Sequence, residues 1–382
     1  MKDIDVNAKY GLPSEVKFCR RCVMSNQRPN IIFDEHGVCS ACHYVDYKKN
    51  IDWQAREDEL IELLDKHRSK DGSFDCVVPS SGGKDSAYVA HELKDKYGMH
   101  PLTVTWAPLV YTDIGWKNIQ AFNHSGFDII MGMAKGDVSK RLCKDATVEM
   151  GDPFQPFIYG QVLFPIKIAA KFGIKLIFSG ENAQAEYGGK KETWDKKGLD
   201  VEEYDKVWFS KLPYNSWLEK GYSQNDLEML IDKNILEYDT KGIKRYFYGY
   251  FKSWSNHENY YYAKKHTGFI PNPERTEGTY TRYSSIDDEI DPFHHWFGLI
   301  KFGVGRCTAN AAREVREGYR ERHEAAALVQ RYDTEFPSKS FPAFLDYTGL
   351  SEDEFWKIAD SWRNKKIWIK DGNDWKLKYQ VS

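Results

Sequence analysis

The sequence predicts an α/β fold built on a doubly wound parallel sheet, and three observations carry that expectation. Short apolar segments alternate with helical ones between residues 75 and 178, the pattern of a parallel sheet covered on both faces. The first apolar segment, Asp75-Cys76-Val77-Val78-Pro79, runs straight into Ser80-Ser81-Gly82-Gly83-Lys84-Asp85-Ser86 and then a helical stretch. Strand, glycine loop and helix in that order present backbone N–H groups to a phosphate. Ahead of them stand two Cys-x-x-Cys pairs, Cys19/Cys22 and Cys39/Cys42, at a spacing that suits one four-thiolate metal site.

The cysteine segment, residues 15–50, is short and turn-rich, as a module is when a metal replaces a hydrophobic core. Each knuckle bends two thiolates toward one point, so Cys19, Cys22, Cys39 and Cys42 would complete a tetrahedron around Zn²⁺. Such a shell leaves no position for water, and the zinc ribbon is expected to be structural or to dock a partner. His43 is expected to lie outside the ligand set. Residues 51–74 read as a linker helix, with Leu60, Leu63 and Leu64 on one face.

Residues 75–215 are expected to form the α/β nucleotide-binding domain. Helix is predicted over Ala87–Lys96 and Ile158–Lys171, and strand over Leu102–Thr105, Asp128–Met131 and Lys175–Phe178, the last ending in Ser179-Gly180-Glu181. Ligands of open α/β sheets bind beyond the carboxyl ends of the strands, which places the nucleotide base near Val104–Trp106 and Phe178–Gly180. Residues 216–382 change to aromatic and charged segments and are expected to be mostly helical. Near the end, Ser351-Glu352-Asp353-Glu354 is a capping-box start for a helix, and Ile367–Lys378, broken by Asp371-Gly372, is a hairpin.

A net charge of -3 gives no global footprint for nucleic acid. The longest apolar runs, such as Ile166–Ala170, fall short of a membrane span, and Met1-Lys2-Asp3-Ile4-Asp5 lacks a signal-peptide core, so a cytoplasmic protein is expected. Of the seven cysteines, Cys76, Cys143 and Cys307 remain outside the metal set and read as structural.

The loop is not a Walker A sequence, which would want glycine where this chain has Val78, nor a Gly-x-Gly-x-x-Gly dinucleotide fingerprint. Its Ser-Gly-Gly-x-Asp-Ser pattern resembles the PP-loop of the N-type ATP pyrophosphatases, which split ATP to AMP and pyrophosphate while adenylating a carbonyl oxygen. The resemblance implies that Ser81, Gly82, Gly83 and Ser86 cradle pyrophosphate and that Lys84 adds charge. Asp85 would orient the loop or help hold Mg²⁺, and Trp106 and Gly180 would lie by the ATP.

Further blocks narrow the class. Phe18-Cys19-x-x-Cys22-Val23-Met24 with Arg28-Pro29, Phe178-Ser179-Gly180-Glu181-Asn182 with Glu186-Tyr187-Gly188-Gly189, Glu277-Gly278-Thr279-Tyr280, Ser285-Ile286-Asp287-Asp288 and Lys301-Phe302-Gly303-x-Gly305-Arg306 together resemble the N-acetyl sugar amidotransferases over roughly residues 18–335. One departure is Ala309-Asn310, where the family pattern leads to an acidic residue soon after Thr308. The resemblance implies conversion of a sugar acetamido group to an acetamidino group during assembly of surface polysaccharide or flagellar glycans. The substrate would be a nucleotide-linked or acidic N-acetylated sugar. Glu181 and Glu186 are then candidates for magnesium or the incoming ammonia, and Arg275, Tyr280 and Arg306 for acid or phosphate groups of the sugar.

No glutaminase nucleophile is evident. The resemblance therefore implies a glutaminase subunit (HisH-like) and an ammonia-channelling subunit (HisF-like), as in imidazole glycerol phosphate synthase. The alternative within the loop class is a tRNA-thiolation enzyme, which would need reactive cysteines, with Cys76 nearest the loop. A scaffold that merely binds nucleotide is a further alternative, disfavoured by the intact Lys84, Asp85 and Ser86.

Overall fold

The computed structural model describes residues 3–199, 214–230, 242–372 and 374–382. The stretch 200–213, just ahead of the domain boundary expected at 215, lies outside the described residues. The apolar segments form strands β1 (Cys76–Pro79), β2 (Pro101–Trp106), β3 (Ile129–Gly132) and β4 (Leu176–Ser179). Two more complete the sheet, β5 (Gly198–Leu199) and β6 (Lys244–Phe247). Their order is β3-β2-β1-β4-β6-β5. All neighbours are parallel except β5 with β6. Val77 and Val78 of β1 are at most 1 % exposed, as expected of a strand covered on both faces.

Strand β6 departs from the expectation of a helical region after residue 216. Its sequence, Lys-Arg-Tyr-Phe, carries two charges and gives no apolar run. Arg245 is nevertheless buried, donating from Nη2 to the Val162 carbonyl at 2.7 Å. The sheet therefore draws one parallel strand from chain beyond residue 215.

The helix after the loop, Lys84–His91, starts three residues earlier than predicted because Gly83 takes the N-cap in extended geometry. A short π-helical turn, Glu92–Lys96, continues it. The linker helix, Trp53–His67, is capped by Asp52 and carries Lys66 in its last turn, charges that suit the two ends of its dipole. The longest helix of the sheet domain, Gln155–Phe172, stops at left-handed Gly173.

Gly160 on that helix lies against the Trp106 indole: a Cβ there would fall 2.0 Å from Trp106 Cε2. Gly160→Ala is expected to destabilise the fold by about 1–3 kcal/mol through overpacking. A urea midpoint unchanged from wild type would refute that close contact.

Of the later helices, Asp291–Phe302, Phe341–Thr348 and Glu352–Trp362 bring Phe293, Phe297, Phe344 and Phe355 into the same core as the sheet, while Arg306–Glu317 and Arg322–Tyr332 pack their alanines on the cysteine module. The capping box at Ser351 and Glu354 is present. A hairpin of β7 (Trp368–Asp371) and β8 (Asp374–Leu377) follows. None of the described helices is long and apolar enough to cross a membrane.

Candidate functional site

Between β1 and β4 the strand order reverses, β1 leading outward to β2 and β3 and β4 to β6. A crevice opens beyond the carboxyl ends of strands at such a switch point. Pro79 delivers the glycine loop there and Ser179 delivers Gly180-Glu181.

The loop is locked from beneath. Gly82 has φ +77°, and a Cβ on it would meet Ile119 Cα at 2.8 Å, so only glycine lets the turn lie on the helix Asp113–His124. Ser80 Oγ accepts from Gly82 N–H (3.2 Å) and lies 3.0 Å from Ser86 Oγ, while Thr105 Oγ1 donates to the Ser80 carbonyl at 2.5 Å. Ser81 and Gly83 N–H donate to no protein acceptor among the described residues. With the first-turn N–H groups of Lys84 and Asp85, they form a concave set of donors at the positive end of a helix.

Lys84 is 7 % exposed, pairs through Nζ with Asp85 Oδ2, and lies 5.7 Å over the Tyr283 ring. Burial lowers its ammonium pKa. Asn259 Nδ2, from the helix Asn256–His266, donates to Asp85 Oδ1 at 2.9 Å and holds the carboxylate from the other side. Beside the Ser81 hydroxyl lies the carboxyl group of Asp287, pushed up to about 6 by burial and by Asp291. Native Asp287 thus takes up its proton at higher pH than the unfolded chain does, which favours the folded state as pH falls through 6 and disfavours it above. Melting of wild type against Asp287→Asn is expected to show wild type losing ground as pH rises from about 5 to about 7.5. A constant difference would contradict the shift.

Across the crevice, Gly180 leaves no room for a side chain, since a Cβ would lie 2.8 Å from Trp254 Cη2. Glu181 Oε1 accepts from the Tyr187 hydroxyl at 3.0 Å. The Arg313 guanidinium lies 4.8 Å over the Tyr187 ring, in the field of Glu181, and its Nη2 is buried without a hydrogen-bond partner. Arg313 also acts electrostatically on Lys84. Two cations from distant parts of the chain thus bear on one crevice.

Glu186 has a different place from Glu181. It is 7 % exposed and gives both oxygens to Lys48 Nζ, at 2.9 and 3.2 Å. Around it the loop carbonyls are gripped by the cysteine module and the C-terminal helices. Arg28 Nη1 donates to Tyr187 O (2.5 Å), Ser40 Oγ to Gly188 O (2.5 Å) and Arg316 Nη2 to Glu186 O (3.3 Å). The carboxylate of Glu186, expected at magnesium or the incoming ammonia, cross-links the module to the loop after β4 through Lys48. Glu186→Ala strands Lys48, whose side chain is 12 % exposed, and is expected to cost about 3–5 kcal/mol in urea unfolding. A loss under about 1 kcal/mol would mean the pair is hydrated in solution.

The four cysteines of the module are at most 1 % exposed. One ligand atom from each lies within 4.8 Å of the others, and they are the one such group among the described residues. Cys19 Sγ to Cys42 Sγ is 3.8 Å and Cys22 Sγ to Cys39 Sγ is 3.7 Å. A tetrahedron with Zn–S bonds near 2.3 Å has edges of about 3.8 Å, so the sulfurs fit zinc. His43 hydrogen bonds Asp34 at 2.8 Å and stays outside the set. The module packs on Ala311, Ala312, Ala325 and Ala326 of the C-terminal helices, so part of its surface is already covered within the chain.

The remaining predicted residues divide. Trp106 is 5 % exposed and packs on Phe164 and Gly160, so its indole is core and presents no stacking face. Arg275 is spent on a bidentate pair with Glu335 (2.6 and 2.7 Å), over the Tyr332 ring. Tyr280 has a buried hydroxyl and lies under Arg320. Arg306 alone of the three lines a cleft. The departure residue Asn310 donates to the hydroxyls of Thr279, Thr281 and Ser284 (2.9–3.3 Å), pinning that loop. Cys76, Cys143 and Cys307 are 0 % exposed, and burial raises each thiol pKa.

Asn259, Tyr283 and Arg313 were not singled out from sequence. Asp287 stood in a quoted block without a role. All but Asn259 among these four sites, Asp287, Tyr283 and Arg313, lie within residues 277–381, which match the family described as LPS biosynthesis protein WbpG-like, C-terminal domain. The match, over about a quarter of the chain, points to lipopolysaccharide biosynthesis. The chain is also 31 % identical over 88 residues to an uncharacterized protein of Methanocaldococcus jannaschii, covering 22 % of this chain and 31 % of that relative. It thus spans about a third of that relative's length. The WbpG-like domain is no separate appendage, for its Asp287 meets the glycine loop and its Arg313 the crevice wall.

Proposed function

We propose that this chain is an ATP-dependent amidotransferase that converts a sugar acetamido group to an acetamidino group in lipopolysaccharide, O-antigen or nonulosonic-acid glycan synthesis. The carrying observation is the junction of a Ser-Gly-Gly-Lys-Asp-Ser loop at a sheet switch point with Asp287 and Arg313 of a WbpG-like domain. An amide oxygen is a poor leaving group. In the proposed reaction it attacks the α-phosphorus of ATP and pyrophosphate leaves; ammonia then adds to the activated carbon, loses a proton, and AMP departs with the former carbonyl oxygen.

The loop N–H groups and Lys84 would stabilise the charge that develops on pyrophosphate, a leading source of catalysis in such sites. Arg313 supplies a second cation from the opposite wall. Glu181, whose Oε1 is held by Tyr187, is the carboxylate for Mg²⁺ or for the incoming ammonia. Zn²⁺ held by Cys19, Cys22, Cys39 and Cys42 would hold the module that grips residues 186–188. Ammonia would come from a separate glutaminase with a channelling partner.

Complete burial of Cys76, Cys143 and Cys307 favours this reading over sulfur transfer to tRNA. The test is release of AMP and pyrophosphate from ATP with ammonium, Mg²⁺ and a panel of nucleotide-linked and acidic N-acetylated sugars. The expected product is lighter than its sugar by the difference between an oxygen atom and an NH group. AMP formed only with tRNA and a sulfur donor would overturn the proposal.

A further inference from the structure

The helix Arg306–Glu317 ends over the loop after β4, and its last turn is fixed there by three side chains. Arg313 lies over the ring of Tyr187, whose hydroxyl donates to Glu181 Oε1 at 3.0 Å. Arg316 Nη2 donates to the Glu186 carbonyl at 3.3 Å. Glu317 Oε2 accepts from Ser255 Oγ at 2.8 Å. Ser255 follows Trp254, the residue that closes on Gly180, and a Cβ on Gly249 would lie 3.3 Å from Glu181 Cα and 3.4 Å from Trp254 Cβ. The run of contacts from Glu317 through Ser255 and Trp254 to Gly180 therefore puts this carboxylate on the crevice wall that carries Glu181.

The other carboxylates of the crevice have strong partners. Asp85 is held by Lys84 and Asn259, Glu186 by Lys48, and Glu181 by Tyr187. Glu317 has the Ser255 hydroxyl on Oε2; among the described residues its Oε1 accepts from no protein donor and pairs with no cation. Tyr283, whose ring lies under Lys84, is in the field of Asp85 and of Glu317 together, so the two carboxylates bear on the same space. Glu317 is also half-buried, and burial raises its pKa. A carboxylate so placed binds a proton more firmly than one in water, which makes it the better base near neutral pH.

We propose that Glu317 is the base that takes a proton from ammonia as it joins the activated acetamido carbon, which leaves Glu181 to Mg²⁺. The assignment rests on the amidotransferase reading and deepens it. The lone pair of ammonia forms the new C–N bond, and the added nitrogen then carries three hydrogens, one more than the amidino group keeps. That proton passes to Glu317 Oε1, the oxygen that Ser255 leaves free. The freed lone pair expels AMP, the C–O bond breaking with its electron pair on the phosphate-bound oxygen, and protonated Glu317 returns its proton to water.

The test compares two half-reactions on the full zinc-loaded chain, with Mg²⁺ and each N-acetylated sugar of the panel. Exchange of labelled pyrophosphate into ATP without ammonium reads adenylation alone, and AMP release with ammonium chloride reads the whole reaction. Glu317→Gln keeps an oxygen for Ser255 and is expected to leave the urea midpoint unchanged and the exchange within about threefold of wild type, while lowering ammonium-dependent AMP release about a hundredfold or more. Glu181→Gln is expected to slow both. Ammonium-dependent release within about threefold of wild type in Glu317→Gln, or an exchange lowered as much as the release, would overturn the assignment. So would Glu181→Gln separating the half-reactions in its place. A wild-type chain that neither exchanges pyrophosphate nor releases AMP with any of the sugars rejects the amidotransferase reading, and the base falls with it. An active wild type with an equally active Glu317→Gln rejects the base alone.

Discussion

Lys84→Met is expected to lower sugar-dependent AMP formation by about a hundred- to a thousandfold, the usual effect of removing one preorganised group that meets developing charge. The ammonium is buried at the head of the loop, and among the described residues its paired carboxylate is Asp85. Methionine keeps the length and the packing of the side chain. Asp85 retains Asn259 and, with its side chain 34 % exposed, can be hydrated. Stability should therefore change little while turnover collapses. Rapid quench of ATP cleavage beside a urea melt separates the two. Turnover within about threefold of wild type would remove Lys84 from the phosphate site.

The second large effect is expected from metal removal. Zinc analysis should find one ion per chain, and Cys42→Ser or a strong chelator should abolish turnover without any change in the glycine loop itself. Binding to four-thiolate sites contributes on the order of 10 kcal/mol, comparable with the whole net stability of a domain. The module that would come loose carries Arg28, Ser40 and Lys48, which hold Tyr187 O, Gly188 O and Glu186. Tyr187 in turn orients Glu181. Hydrogen exchange should show protection lost over residues 186–189 together with the module. A chelated chain that keeps both that protection and its turnover would reduce the zinc to local support.

How much of this site could be read beforehand depended on how local its chemistry is. The glycine loop and the cysteine pairs were legible because each works through a few adjacent residues: Gly82 must accept φ +77°, and each knuckle must turn two sulfurs toward one point. The parallel sheet was legible in β1 to β4, whose apolar runs are the direct consequence of burial on both faces. Strand β6 was not, because its place is secured by a buried arginine hydrogen bonded to a helix carbonyl rather than by an apolar run.

Residue roles followed the same division. Glu181 and Glu186 are five positions apart and alike in sequence, yet one lines the crevice with Tyr187 and the other is spent on Lys48. Arg275 and Arg306 look equally suited to an anion, but Glu335, sixty residues along, neutralises the first and leaves the second facing a cleft.

The amino-acid order alone carried the α/β fold class, the glycine turn after β1 and the gathering of four cysteines, because backbone geometry and ligand spacing act within a few residues. Tertiary structure alone decided which carboxylate and which arginine remain available. Whether a charge is free or paired depends on what distant segment packs beside it, and burial makes an unmatched charge too costly to leave without a purpose.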